Sequence, residues 1–175
     1  SSSDNKISQL KKQYGDKHYY YKIDLSDSEN VQNCLDEISK NHKDIAIIVN
    51  NAGKTHDNLI FRMKNDQWNE VMHTNLNSNY QIIKSLLPNM LSNKYGKIIG
   101  ISSIVGSTGN PGQANYVASK SGLVGLYKSI ALEVAKRNIN VNIISPGFIS
   151  TSMTDNLNED QKKNYLSRIP MMRFG

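Results

Sequence analysis

Three residues of this chain have the types and spacing for proton transfer to an oxygen atom: Ser103, Tyr116 and Lys120. Tyr116 and Lys120 stand four apart in Y-V-A-S-K, which on a helix puts both side chains on one face. A tyrosine of ordinary pKa, about 10, exchanges protons poorly at neutral pH, and a cation beside it favours the phenolate. A drop of about three units takes about 4 kcal/mol, within reach of a nearby ammonium in a partly dry site. The spacing predicts Tyr116 as a general acid whose pKa is lowered by Lys120. Ser103, thirteen residues before Tyr116, ends the run K-I-I-G-I-S-S and can hold an oxygen while the phenol donates. Y-x-x-x-K alone occurs on many helices, so the elements around it must decide.

Those elements alternate. The apolar runs D-I-A-I-I-V-N-N, K-I-I-G-I-S-S and N-V-N-I-I-S-P-G suit parallel strands covered on both faces. Between them, helical stretches run over about 65–93 and 112–137, the second apolar almost all round and therefore buried on more than one side. The pattern predicts an α/β fold with a parallel sheet. Ser103 then follows a strand, where such sheets place their ligand crevice. A polar helix over about 4–14 precedes Tyr19-Tyr20-Tyr21-Lys22-Ile23-Asp24-Leu25, which reads as a further strand.

With 38% hydrophobic and 21% charged residues the chain falls near the globular range, and no apolar run approaches the length that crosses a bilayer. The expectation is a cytoplasmic protein without membrane partner, or one of an organelle matrix if a targeting segment precedes Ser1. The single cysteine, Cys34, forms no internal disulfide and reads as a half-buried small hydrophobe. His18, His42, His56 and His73 lack metal-ligand spacing, so no metal is assigned. Lys and Arg exceed Asp and Glu by 21 to 15, but they are scattered without a nucleic-acid motif, and no nucleic acid is expected. The 22 asparagines point to compositional bias.

N-N-A-G at Asn50 to Gly53, Asn75 in H-T-N-L, Ser103, Tyr116 with Lys120 and P-G-F-I-S-T from Pro146 stand in the order and spacing of one family. In them the chain resembles the short-chain dehydrogenase/reductase family. D-N-L-I-F-R-M-K-N-D-Q-W from Asp57, G-N-P-G-Q-A-N-Y from Gly109 and P-G-F-I-S-T-S-M-T from Pro146 resemble, within it, the 3-oxoacyl-[acyl-carrier-protein] reductases of type II fatty acid synthesis. The resemblance implies a doubly wound parallel sheet of the Rossmann type, with helices on both faces, and NADP(H)-dependent reduction of a 3-oxoacyl thioester. An acetoacetyl-CoA reductase or another short-chain alcohol dehydrogenase would use the same set, and a non-catalytic subunit that assembles with intact copies is the alternative of another class.

The resemblance also implies roles. Tyr116 donates the proton, Ser103 orients the carbonyl, Lys120 binds the nicotinamide ribose, and Asn75 interrupts a helix to position a relay water. Asp24 and Leu25 meet the adenine, Asn51, Ala52 and Gly53 the adenosine ribose, and Ile149 and Thr151 the carboxamide. Ser2 is the residue expected nearest the adenine 2′-position, and the lack of an acidic group there favours NADP(H). Acyl carrier protein, an acidic partner, is expected to dock on Lys94 and Arg137 near the site mouth. The two long helices imply a homotetramer, and Ser150 to Arg173 a flap over the substrate. A Gly-rich turn between strand and helix is not found, so the 175 residues read as one partial dinucleotide-binding domain lacking both ends.

Overall fold

The computed structural model describes residues 2–15, 17–150 and 159–175. Helix α1 (Ser2–Tyr14) is followed in the chain by α2 (Ser28–Asn41). Asp27 starts α2 by accepting hydrogen bonds from the amides of Glu29 and Asn30, two donors that the first turn otherwise leaves unpaired. Val31 and Leu35, one turn apart, then bury a stripe of α2.

The sheet has three parallel strands in the order β1 (Ile47–Asn50), β2 (Gly96–Ile101), β3 (Ile139–Ile144). Ile48 pairs with Ile98 and Ile98 with Val141. Parallel neighbours need long crossovers, and two rods of helix provide them. The first is α3 (Asn65–Met72), a π-helical turn (His73–Asn77) and α4 (Ser78–Asn93). The second is α5 (Val105–Thr108), then α6 (Ala114–Val134) and a 3-10 turn (Ala135–Arg137). Helix α7 (Glu159–Leu166) follows β3. This is the parallel α/β architecture expected from the alternating pattern, of the Rossmann type that the resemblance implies.

Helices α4 and α6 pack on one face of the sheet, where Ile48, Ile83, Leu86, Met90, Ile98, Leu123, Tyr127, Ile130, Val134 and Ile139 form the core. On the other face Ile47 and Val49 remain 56% and 58% exposed, beside a groove of about 460 Å³ that Ile23 and Leu25 also line. Residues 19–25 form no strand, and Leu25 lies in a turn, contrary to the expectation. A strand is stabilised by a partner, and here the segment is held by side chains instead. The Tyr21 hydroxyl meets His42 Nε2 at 2.7 Å, and the Tyr19 ring lies 4.4 Å from the His42 ring.

Close approach of α6 to β2 requires glycine at position 100. A Cβ there would stand 2.4 Å from the Tyr127 ring. The ring is buried, and its hydroxyl accepts from Asn50 Nδ2 and donates to Asn79 Oδ1, both at 2.8 Å. Gly100→Ala is expected to destabilise the protein by about 1–3 kcal/mol through overpacking, read as a lower urea midpoint. An unchanged midpoint would mean that the rod shifts freely, against this packing.

Candidate active site

The carboxyl ends of β1 and β2 meet the amino-terminal part of α6, and the candidate catalytic residues gather there. Ser102 and Ser103 follow β2 directly. The buried Ser102 turns inward and its hydroxyl donates to the Lys120 carbonyl at 2.8 Å, while its amide donates to the Ile144 carbonyl at 2.7 Å. It clamps strand to helix. Ser103 lies near enough to the Tyr116 phenol to draw its pKa down, and Val105 N donates to its Oγ at 3.4 Å. The Ser121 hydroxyl, donating to the Gly106 carbonyl, holds the following α5 segment on α6 and so keeps Ser103 at Tyr116.

In the first turn of α6 lies Asn115, fully buried, whose Oδ1 accepts from Tyr116 N at 2.8 Å. Its Nδ2 donates to the carbonyls of His56 at 3.0 Å and Gln67 at 3.2 Å. The amino end of the Tyr116 helix is thereby tied to the chain after Gly53 and to α3. Tyr116 is half-buried, and burial pushes its phenol above the ordinary value; Ser103 draws it down and the Asp57 carboxylate pushes it up.

That direction corrects the expected lowering by Lys120. The Lys120 ammonium sits 5.6 Å from the Tyr116 ring centroid and donates to the Ile101 carbonyl at 2.7 Å. Position on one helix face brought the two side chains together, but the ammonium is turned to the strand end. Lys120 itself is 3% exposed, and burial pushes its pKa down to about 8.

Asn75 is the centre of the π-helical turn, an irregularity often found at functional sites, where the sequence predicted an interrupted helix. Fully buried, its Oδ1 accepts from Lys54 N at 2.9 Å, and its Nδ2 donates to the Lys54 carbonyl and to Ser119 Oγ, both at 3.0 Å. Both amide hydrogens are therefore spent on protein, and what the side chain does is fix the turn after β1. Gly53 in that turn lies against the site: a Cβ there would be 3.3 Å from Lys120 Nζ and 3.6 Å from Asn75 Oδ1.

The residues expected at the adenosine end also converge. Asp24, Leu25, Ala52 and Gly53 line one groove of about 550 Å³ with Lys22, Ser26, Lys54 and Thr74. Asn51 lies with Leu25 and Ala52 on the adjoining apolar groove. Hydrogen bonds from Ser26 hold the Asp24 carboxyl below its ordinary range. An apolar wall, a fixed carboxylate, two lysines and a hydroxyl fit a ligand that has a heteroaromatic ring, ribose and phosphate.

Ser2 opens α1, and its side chain lies outside the described residues, as does Thr151. Ile149 is described, with Gly175 returning beside it. Of the expected flap, residues 151–158 lie outside the description, while Tyr165 of α7 stacks on Phe148 at 4.0 Å. Lys94 and Arg137 sit near each other, Asn138 Nδ2 donating to the Lys94 carbonyl at 3.2 Å. They precede β2 and β3, so within one chain they lie at the amino ends of the strands, opposite Ser103. That corrects the expectation of a place at this chain's own site mouth.

Sequence reasoning missed Ser102, Asn115, Ser119 and Asp57. None has a spacing signal of its own, since each acts on a group distant in sequence. The split between the two serines is testable. Ser103→Ala is expected to reduce turnover by about 10²-fold with little loss of stability, and Ser102→Ala to cost about 1–3 kcal/mol of stability with a smaller effect on turnover. The reverse pattern in paired kinetic and denaturation measurements would contradict the geometry.

Comparison with known proteins gives the family of the chain. The short chain dehydrogenase family matches residues 1–162. A 3-oxoacyl-[acyl-carrier-protein] reductase FabG of Haemophilus influenzae is 48% identical over 161 residues, covering 92% of this chain and 66% of the relative. The proteins of that name from Buchnera aphidicola subsp. Schizaphis graminum and Escherichia coli are 48% and 44% identical over 153 residues, 87% of this chain and 63% of each relative. The chain thus spans just under two thirds of the length of these curated relatives. It belongs to the short-chain dehydrogenase family.

Proposed function

We propose that the chain carries the catalytic centre of an NADP(H)-dependent reductase that converts a 3-oxoacyl thioester on acyl carrier protein to the (3R)-3-hydroxyacyl thioester in fatty acid synthesis. The observation that carries this reading is the approach of the Ser103 side chain to the Tyr116 phenol beside Lys120. The names of the relatives supply the substrate class. Asp24, Leu25, Asn51, Ala52 and Gly53 would hold the adenosine end of the dinucleotide, Lys120 and Tyr116 the nicotinamide ribose, and Ile149 the carboxamide. When bound, the nicotinamide supplies the hydride to the carbonyl carbon. Lys22 on the groove wall favours the additional phosphate of NADP(H) over NAD(H).

The residues divide the remaining chemistry. Ser103 donates a hydrogen bond to the substrate carbonyl oxygen, and Tyr116 delivers its proton there. The raised pKa keeps the phenol protonated at neutral pH, ready to donate, and Lys120, held by the Ile101 carbonyl, would position the nicotinamide ribose beside it. Asn75 keeps Gly53 and Lys54 in place beneath Lys120.

The assembly in this reading is a homotetramer in the cytoplasm, packed through α4 and α6. Leu132 of α6 is 84% exposed in the single chain, and none of the described helices is long and apolar enough to cross a membrane. Docking of the acidic carrier protein on Lys94 and Arg137 then serves a neighbouring subunit's site, because these residues lie opposite their own. The test replaces both by Glu in the full-length protein. The expected result is a higher KM for 3-oxoacyl-carrier protein and an unchanged KM for the CoA thioester; equal effects on both, or none on either, would overturn the docking assignment.

A further inference from the structure

One cluster of charged side chains lies outside the catalytic set. Glu70 of α3 makes an ion pair with Lys54 Nζ, and its second oxygen lies 3.3 Å from His56 Nδ1. His56 Nε2 stands 3.0 Å from Gln67 Nε2. Gln67 Oε1 in turn accepts from Asn58 Nδ2 at 3.3 Å and from Lys64 N at 2.9 Å. Asp24, across the groove, faces the Lys54 charge.

The chain from Gly53 to Asn58 is therefore a strap. At one end Lys54 is held twice on the first rod, its main chain by Asn75 and its ammonium by Glu70. At the other end Asn58 N donates to the Gly112 carbonyl at 2.8 Å, and Gln113 Nε2 donates to Asp57 Oδ2 at 2.9 Å, both just before α6. The strap joins the groove wall to the start of the helix that carries Tyr116 and Lys120. With the site of a Gly53 Cβ only 3.3 Å from Lys120 Nζ, a small shift of the strap moves the groove wall toward or away from the ammonium.

We infer that Glu70 and Lys54 form a latch that positions this strap, and thereby sets affinity for the dinucleotide without touching the reacting atoms. The inference rests on the dinucleotide reading of the groove. Lys54 is a positioning residue here: its ammonium works through Glu70. Because both side chains are partly exposed, with about 38–39% of their surface accessible, the pair contributes a small energy, and the effect on binding is correspondingly limited.

The experiment measures NADPH binding to the full-length protein by the fluorescence of the bound dinucleotide, for wild type, Lys54→Met, Glu70→Gln, the double variant and the charge swap Lys54→Glu with Glu70→Lys. The expected result is that each single variant weakens binding by about three- to fivefold, that the double variant is no worse than either single, and that the swap restores binding. KM for NADPH follows the binding constant while kcat stays near the wild-type value. Additive losses, failure of the swap to restore binding, or singles that bind like wild type would each overturn the latch. Absence of NADPH binding by the wild type is a different failure, that of the dinucleotide reading itself.

Discussion

Tyr116→Phe is expected to reduce reduction of the thioester carbonyl by about 10²–10⁴-fold, the range for loss of a positioned general acid. The substitution removes one oxygen and leaves the ring against which Lys120 is packed. Ser103 keeps its contact to Val105, so the carbonyl can still be oriented, but no proton donor remains at the site where oxyanion charge develops. Burial, the largest influence on the phenol, raises its pKa. Wild-type reduction should accordingly show no loss of the phenolic proton through the neutral range. Rates within threefold of wild type for Tyr116→Phe, measured with substrate saturating, would mean that another group donates.

Lys120→Met is expected to be nearly as severe, about 10²-fold in turnover, and it has a second signature in pH. With a pKa of about 8 in the folded protein against the ordinary 10.5, Lys120 is protonated in both folded and unfolded states below pH 8. Between about 8 and 10.5 the unfolded state binds more protons, so stability rises with pH across that window. The wild type should gain stability there relative to Lys120→Met. The reaction should behave oppositely: as pH rises through about 8 the ammonium is lost and reduction by the wild type declines, a limb absent from the residual activity of the variant. Equal pH slopes of stability for the two proteins, or a limb that persists without Lys120, would contradict the burial argument.

Much of this site is legible in the sequence because its signals are local. Apolar runs give the three strands, and the break in helical regularity at Asn75 falls where the T-N-L setting placed it. Tyr116 and Lys120 share a helix face, as four-residue spacing requires. What is not legible depends on partners distant along the chain. The alternation in residues 19–25 suits a strand, yet pairing is a property of two segments. Neighbouring Ser102 and Ser103 look interchangeable until α6 takes the first as its clamp. The phenol's pKa depends on which way an ammonium points, and Lys120 points to Ile101. The place of Lys94 and Arg137 was open to polarity reasoning, since each precedes a strand whose far end leads to the site.

The most direct test of the central claim is to mix the full-length protein with NADPH and acetoacetyl-acyl-carrier protein and follow both NADPH consumption and the thioester product by mass spectrometry. The account predicts one NADPH oxidised for each 3-hydroxybutyryl thioester formed, with both signals lost in Tyr116→Phe. A folded wild-type protein that binds NADPH yet leaves the 3-oxo thioester intact would contradict it.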